Sequence, residues 1–329
     1  MGHPRRRFVH NECYFVTNRL AEGLPFVPNA FMNKLIEGIL ARAQARSPDV
    51  VVCTFDMLQN HYHCVVVLNG EPSVLSNFIH DIQDELARLV CKLLGKRNVK
   101  VWAQRFHAAK LGDYQAAVSK IVYGLANPVQ AGFCKRVADW WGIGSWKYIE
   151  GEKQKICHWY RSKKLKKLLN APFSKQTLSY NLAYLIKLEP TSQQFSLSMQ
   201  PFYWKICFKK TRNIADAEIK EMIINGIVEQ EIRIAKERKR ERKQLADKEL
   251  LKCQNPYKCY KPKSLGRRVY CICTDSDLRQ QLIEEYQSFC EYCRYVWKKW
   301  SERDYRFKFP PGAFIPSQKP FANLILAPL

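Results

Sequence analysis

The apolar run Cys64-Val65-Val66-Val67-Leu68, entered from Asn60-His61-Tyr62-His63, limits the folds open to this chain more than any other stretch. Apolar residues in series behind a polar turn read as a strand. Side chains alternate along a strand, so His61 and His63 share a face with Val65 and Val67. Two imidazoles on one face of a rigid strand are half of a metal site, but a His-x-His pair alone reads more readily as two solvated or half-buried histidines.

The flanking pattern supplies the rest of a sheet. Residues 12–20 are rich in aromatic and β-branched types and read as a first strand. Over 29–46, Phe31, Leu35, Ile36, Ile39 and Ala43 recur at helical spacing, and Ser47-Pro48 ends the helix. Residues 50–58 form a second strand, joined to the histidine strand by a tight turn at Gln59-Asn60. A second helix opens at Pro72-Ser73 and stops at Gly95, and a fourth strand follows over 101–109. Strand, helix, strand, strand, helix, strand is the α+β, ferredoxin-like split βαβ order, whose antiparallel sheet carries both helices on one face and leaves the other free. A third helix starts after Gly112 with Asp113 as N-cap. Its stripe is Tyr114, Ala117, Val118, Ile121, Val122 and Leu125. Tyr123 lies off that stripe, beside Lys120 and Asn127, and Pro128 biases the helix to kink or end at Asn127.

Charge defines the class of partner. The 54 Lys and Arg against 30 Asp and Glu give +24. Residues 1–150 hold 18 basic and 12 acidic side chains (+6), and 151–329 hold 36 and 18 (+18). A field of that sign favours polyanions, nucleic acid first. The longest apolar run falls far short of the ~20 residues of a membrane span, and no apolar segment follows the basic N-terminus, so the chain reads as soluble and cytoplasmic. Thirteen scattered cysteines, an odd number, read as reduced thiols.

These pieces together resemble a Y1 tyrosine transposase of the HUH endonuclease superfamily, in its REP-associated branch. The matching residues are His61-Tyr62-His63, Trp102 with the following Ala-Gln-Arg-Phe-His, the run Tyr123-Gly124-Leu125-Ala126-Asn127-Pro128-Val129-Gln130-Ala131-Gly132, and residues 140–148; the likeness spans about residues 8–150. It implies that His61 and His63 bind a divalent metal, that Asn127 completes the metal shell where relatives outside the branch use Gln, and that Tyr123 is the nucleophile, so that its helix should cover the face bearing Val65 and Val67 and leave the histidines at the edge. It also implies a substrate of single-stranded DNA with a hairpin, and a monomer rather than a helix-swapped dimer. Imidazoles and an amide oxygen suit Mg2+ or Mn2+. A tyrosine hydroxyl needs such help, since its reference pKa is about 10. Attack would leave a 5′-phosphotyrosine and a free 3′-hydroxyl, a reversible step that needs no nucleotide cofactor, consistent with a sequence that has no Gly-x-x-x-x-Gly-Lys loop. Arg5, Arg6, Arg7, Arg105 and Lys120 are candidate phosphate contacts, and His107 a neighbour of the site. A domesticated, non-cleaving DNA-binding protein of the same fold is the alternative.

The chain divides on this reading into a catalytic domain, 1–150, and a basic, mainly helical extension, 151–329, that binds DNA or packs on the first. In the extension, 190–201 reads as a linker, 213–251 as one long helix that is solvated and laced with ion pairs or tracks DNA, and Thr274-x-x-Asp277 as the capping box of a final helix. Phe309-Pro310-Pro311-Gly312-Ala313-Phe314 resembles a tail of larger REP-associated members, with Ala313 where Thr is usual.

Overall fold

The computed structural model describes residues 5–21, 26–93, 99–161, 165, 175–252 and 268–315. Its first six elements are β1 (Glu12–Arg19), α1 (Ala30–Arg46), β2 (Val50–Met57), β3 (His61–Leu68), α2 (Pro72–Leu93) and β4 (His107–Leu111). They form a mixed α+β domain on an antiparallel sheet in the order β2-β3-β1-β4. The expected stop of α2 at Gly95 lies outside the described residues. The fourth strand starts at His107 rather than 101, because the preceding segment is held otherwise: Trp102 makes a lone bridge to Leu20 and donates its indole N–H to Gln83 O at 2.9 Å.

β3 is central and buried on both faces. Tyr62, Cys64, Val66 and Leu68 pack with α1 and α2, whereas Val65 and Val67 pack on the opposite side. That side is the one left free by the first two helices and taken by the helix of Tyr123, as expected. Helix α3 (Tyr114–Gln130) covers it with Ala117, Ile121, Val122 and Leu125, capped by Asp113, whose carboxylate accepts from Ala116 N. The helix runs through Pro128, so Asn127 stays helical and in register with Tyr123.

The segments beyond 150 correct three expectations. Residues 190–201 contain a strand, β6 (Gln193–Ser198), paired with β5 (Gln154–Trp159), which follows the short α4 (Trp146–Glu150). Ser and Gln content masked the alternation of Phe195 and Leu197 with polar neighbours. The next helix, α5 (Lys175–Leu188), precedes β6. The long helix is two, α6 (Asp216–Arg240) and α7 (Lys248–Lys252), broken where Arg242 adopts a positive φ of 52° and Ala246 N bonds to Gly132 O. Nor is α6 merely solvated: Ile219, Ile223 and Ile227 are buried, and Gly226 sits so close to α3 that a Cβ there would meet Val122 Cγ2 at 2.9 Å.

A fifth strand, β7 (Cys271–Ile272), extends the sheet parallel to β4, and α8 (Ser276–Ser301) follows. The N-cap of α8 is Asp275 rather than Thr274. Asp275 accepts from Asp277 N and Leu278 N, while Thr274 donates its hydroxyl to Asp113 Oδ2 at 2.9 Å. Asp113 thus caps α3 and anchors the start of α8 together. The eleven described cysteines are free thiols, and no described helix is long and apolar enough to cross a membrane.

Candidate active site

β3 presents His61 and His63 to the α3 face, and α3 brings Tyr123 and Asn127 over them. His61 Nδ1 lies 2.6 Å from Asn60 Oδ1, and its Nε2 lies 2.8 Å from Asn127 Nδ2. A carbonyl oxygen only accepts, so the proton sits on Nδ1 and the Nε2 lone pair faces Asn127. His63 is 6% exposed, and neither of its ring nitrogens has a hydrogen-bond partner. It is held by rings instead: it stacks on Phe15 at 5.4 Å between centroids and meets the edge of Tyr123 at 5.1 Å. Burial drives the His61 pKa down to about 4 and that of His63 well below the ordinary range, with the charge of nearby Arg19 adding to the first and those of His61 and Lys120 to the second. Both imidazoles are therefore neutral at pH 7, with lone pairs to offer.

Tyr123 is 44% exposed, and burial raises its pKa above the ordinary phenol value. Lys120 Nζ stands 5.0 Å from the Tyr123 ring centroid and 5.7 Å from that of Phe15. An open cleft of about 320 Å³ lies over these groups, lined by Thr17, Asn18, Arg19, His61, His63, Gln104, His107, Tyr123 and Arg268. His107 reaches the cleft, although its Nε2 is engaged with Val269 O at 2.7 Å. Arg5, Arg6, Arg7 and Arg105 do not line it. They line an adjoining small basic cavity, which shares His107 and Arg268 with the cleft. There Arg6 lies 3.6 Å over the Phe106 ring, its pKa lowered to about 10 by burial and by the neighbouring Arg105. The far wall belongs to the C-terminal segment: Tyr286 donates to Arg5 O at 2.7 Å, and Arg7 lies 3.7 Å from Glu285.

Five residues of this region escaped the sequence reading. Asn18, opposite Tyr62, donates to the backbone O of Gln104, a further lining residue, at 3.1 Å. Thr17 and Arg19 enter because β1 pairs with β3, Thr17 opposite His63 and Arg19 opposite His61. An antiparallel register, once assumed, points to these two. Arg268 arrives with β7, which was not expected. Asp56 comes from a β-bulge in β2 between Val52 and Thr54, which shifts the pairing so that Asp56 stands opposite His63 on the same face. It is 2% exposed; its Oδ1 accepts from Ser145 N at 2.9 Å, and Oδ2 has no partner.

Burial raises the Asp56 pKa to about 7, against the two Ser145 hydrogen bonds that lower it. The folded state then holds a proton that the unfolded chain releases near the ordinary carboxylate value. Stability from this group is present below about pH 4 and lost as pH rises through about 7. Asp56→Asn removes that loss. The variant's stability relative to wild type should therefore rise between pH 4 and 8 by up to about 4 kcal/mol, read from urea midpoints at each pH. His61 and His63 oppose the trend but titrate in both proteins, so they cancel in the difference.

The donor set fits a divalent cation that takes nitrogen and amide oxygen. His61 Nε2 and the unpartnered His63 nitrogens are the imidazole donors, and turning the Asn127 amide exchanges Nδ2 for Oδ1. Among the described residues, no group of three or more His, Cys, Asp or Glu is placed to hold a metal ion.

No family model matches the chain, and neither does any curated protein. Among solved structures, that of a REP-associated tyrosine transposase bound to a REP hairpin is similar at 16% identity and a TM-score of 0.36, covering 46% of this chain and 87% of the other. A likeness of that size carries no inference about this chain.

Proposed function

We propose that this chain is a metal-dependent transesterase of single-stranded DNA, of the Y1 transposase type, acting beside a hairpin and using Tyr123 as nucleophile. The observation that carries the proposal is the convergence of Tyr123, His61, His63 and Asn127 on one face of the sheet, with both His63 nitrogens buried and unpartnered. A buried imidazole with no partner costs about 1–3 kcal/mol. A phosphodiester-bound cation would offset that cost.

His61, His63 and the Asn127 amide would hold Mg2+ or Mn2+, which supplies polarisation of the scissile phosphate and neutralises its developing charge. The rest falls to the chain. Phe15 and His63 fix the plane of the Tyr123 ring, and the partly exposed hydroxyl is reachable from the cleft. Burial disfavours the free phenolate, so Tyr123 rests as the neutral phenol. Its oxygen then bonds to phosphorus as the P–O3′ bond breaks; the phenol proton is lost and the leaving 3′-oxygen gains one. The 5′-phosphotyrosine keeps the ester energy, and a second 3′-hydroxyl reverses the step. Arg19 and Arg268 in the cleft, with Arg5, Arg6, Arg7 and Arg105 beside it, give the strand a basic path. A monomer suffices, since one chain supplies every group named.

The test is incubation with a panel of labelled single-stranded hairpins and Mn2+. A denaturant-resistant protein–DNA adduct is expected from wild type, and none from Tyr123→Phe or after chelation. An adduct from Tyr123→Phe would refute the nucleophile. Binding of every hairpin with no adduct from wild type would leave the non-cleaving DNA-binding reading in its place.

A further inference from the structure

Beyond the small basic cavity lies a pocket of about 330 Å³ that the step at Tyr123 does not use. Its lining comes from both ends of the chain: Arg5 and Arg6 from the N-terminal segment, Arg105 from the segment before β4, Phe289 and Cys293 from α8, and Ala313 and Phe314 from the tail that follows. A fixed turn brings the tail there. Gly312 has a φ of 83°, its O accepts from Phe8 N at 3.3 Å, and a Cβ on it would fall 2.8 Å from Phe8 O and 3.1 Å from Arg7 Cγ. Only glycine tolerates both that conformation and that approach. The Phe8 and Phe314 rings then lie edge to face at 5.9 Å between centroids. Upstream, Trp300 donates to Phe307 O at 2.8 Å and meets Phe309 edge to face at 5.0 Å, so the tail is tied to α8 as well.

The pocket is continuous with the Tyr123 cleft through shared walls. It shares Arg5, Arg6 and Arg105 with the small basic cavity, and that cavity shares His107 and Arg268 with the cleft. Among the described residues, no Asp or Glu lines the pocket or the small cavity. Arg6 is close enough to Arg105 for that charge to add to burial in lowering its pKa. Guanidiniums crowded on one pocket repel one another, and an anion among them offsets the repulsion. Their planar forks match phosphate oxygens in pairs. Beside the three cations Phe314, 40% exposed, offers an apolar ring, and a nucleobase stacks on such a ring whatever its edge carries. Phosphate next to a planar base is a nucleotide, and a pocket of this volume admits one.

We infer that this pocket holds one unpaired nucleotide of the DNA strand that enters the Tyr123 cleft, with its phosphate on Arg5, Arg6 and Arg105 and its base stacked on Phe314. The inference deepens the proposed strand chemistry and rests on it for the identity of the strand. It gives the C-terminal segment a share in the substrate site: the arginines alone would hold a phosphate, and the tail adds the wall that holds a base. Stacking is indifferent to base identity, so the pocket secures the path of the strand rather than reading its sequence.

Binding of a fluorescent oligothymidylate of about twelve nucleotides to the full, metal-free chain, followed by anisotropy over a salt series, reads the charges and the ring separately. Arg5→Gln and Arg105→Gln are each expected to weaken binding about three- to tenfold and to lower the slope of log K against log salt by about 0.7, the single-strand value for one phosphate contact. Phe314→Ala should weaken binding at least about fivefold with the slope unchanged, and Phe314→Trp should retain it. A second readout needs no variant: the same oligonucleotide carrying 5-iododeoxyuridine, irradiated with wild type and digested, should leave a crosslinked peptide that contains Phe314. Crosslinks that map only to peptides without Phe314 or Phe289 would overturn the inference. So would wild-type affinity and slope in both arginine variants. Wild-type binding by Phe314→Ala would reduce the pocket to an anion site with no base in it, and overturn the inference equally. Neither readout involves a metal or the Tyr123 hydroxyl. A Tyr123 adduct without the Phe314 crosslink therefore sinks the nucleotide pocket alone, and the crosslink without an adduct from any hairpin sinks the strand-cleavage reading alone.

Discussion

Replacing His63 with leucine is expected to lower the DNA-cleavage rate by at least about 10²–10³-fold without lowering the stability of the metal-free fold. His63 makes no hydrogen bond and is packed by Phe15 and Tyr123. Leucine fills comparable volume among apolar neighbours and leaves nothing polar unpaired, so the metal-free variant should match or exceed wild type by about 1 kcal/mol. The rate loss is of the size seen when one preorganised charge-stabilising group is removed. His61→Leu makes the informative contrast. It strands the side chains of Asn60 and Asn127, which His61 now joins, and should cost about 1–3 kcal/mol in addition to the rate. Thermal melts with and without Mn2+ separate the two effects. Wild type should be raised by the ion, because binding to the folded state alone adds RT ln(1 + [L]/Kd), and neither leucine variant should respond. A Mn2+-dependent shift that persists in His63→Leu would refute the assignment of His63 as a ligand.

How much of this was legible without coordinates depends on the range of the interaction concerned. The alternation along β3 placed His61 and His63 on the Val65 and Val67 face, and the helical repeat of α3 put Tyr123 and Asn127 on one side; both are local periodicities. The cover of the Val65 and Val67 face by α3 followed from bringing Tyr123 to the histidines; what had no local signal is α6, which packs over α3 from a hundred residues later and carries a charged exterior around buried Ile219, Ile223 and Ile227. Asp56 was invisible for a subtler reason. A single extra residue in β2 changes which side chains face His63, and bulges leave no reliable mark in composition. Arg268 depended on a two-residue strand too short to produce any pattern. The arginines at 5–7 were found by charge alone, and their position beside the cleft follows from contacts with Phe106 and the C-terminal helix that no local signal encodes.

Whether residues 1–150 stand as a separate domain turns on how the later segments are attached, and Gly38 probes that attachment. Gly38 lies in α1, where alanine is favoured by about 1 kcal/mol on propensity. A Cβ there would nevertheless fall 2.2 Å from His158 O and 2.9 Å from His158 C, both backbone atoms of β5. No side-chain rotation can relieve such a clash, so either α1 or the β5–β6 pair must move. The pair is also fixed to α1 by Lys155 with Glu37 at 2.7 Å and by Gln44, which donates to Ser198 O at 2.6 Å and accepts from Ser198 N at 3.2 Å. Gln200 N reaches Val52 O of the sheet itself at 2.9 Å. Gly38→Ala is therefore expected to cost about 3 kcal/mol, at the upper end of overpacking effects. If the two segments form one cooperative unit, urea unfolding followed by tryptophan fluorescence and by far-UV circular dichroism should shift together and stay coincident. If the catalytic domain is autonomous, only the β5–β6 pair should detach, limited proteolysis should cut near residue 151, and hairpin-DNA cleavage should survive at wild-type rate. The close approach of α1 to β5, the paired Gln44 bonds and the junction of β7 with β4 all favour the first outcome.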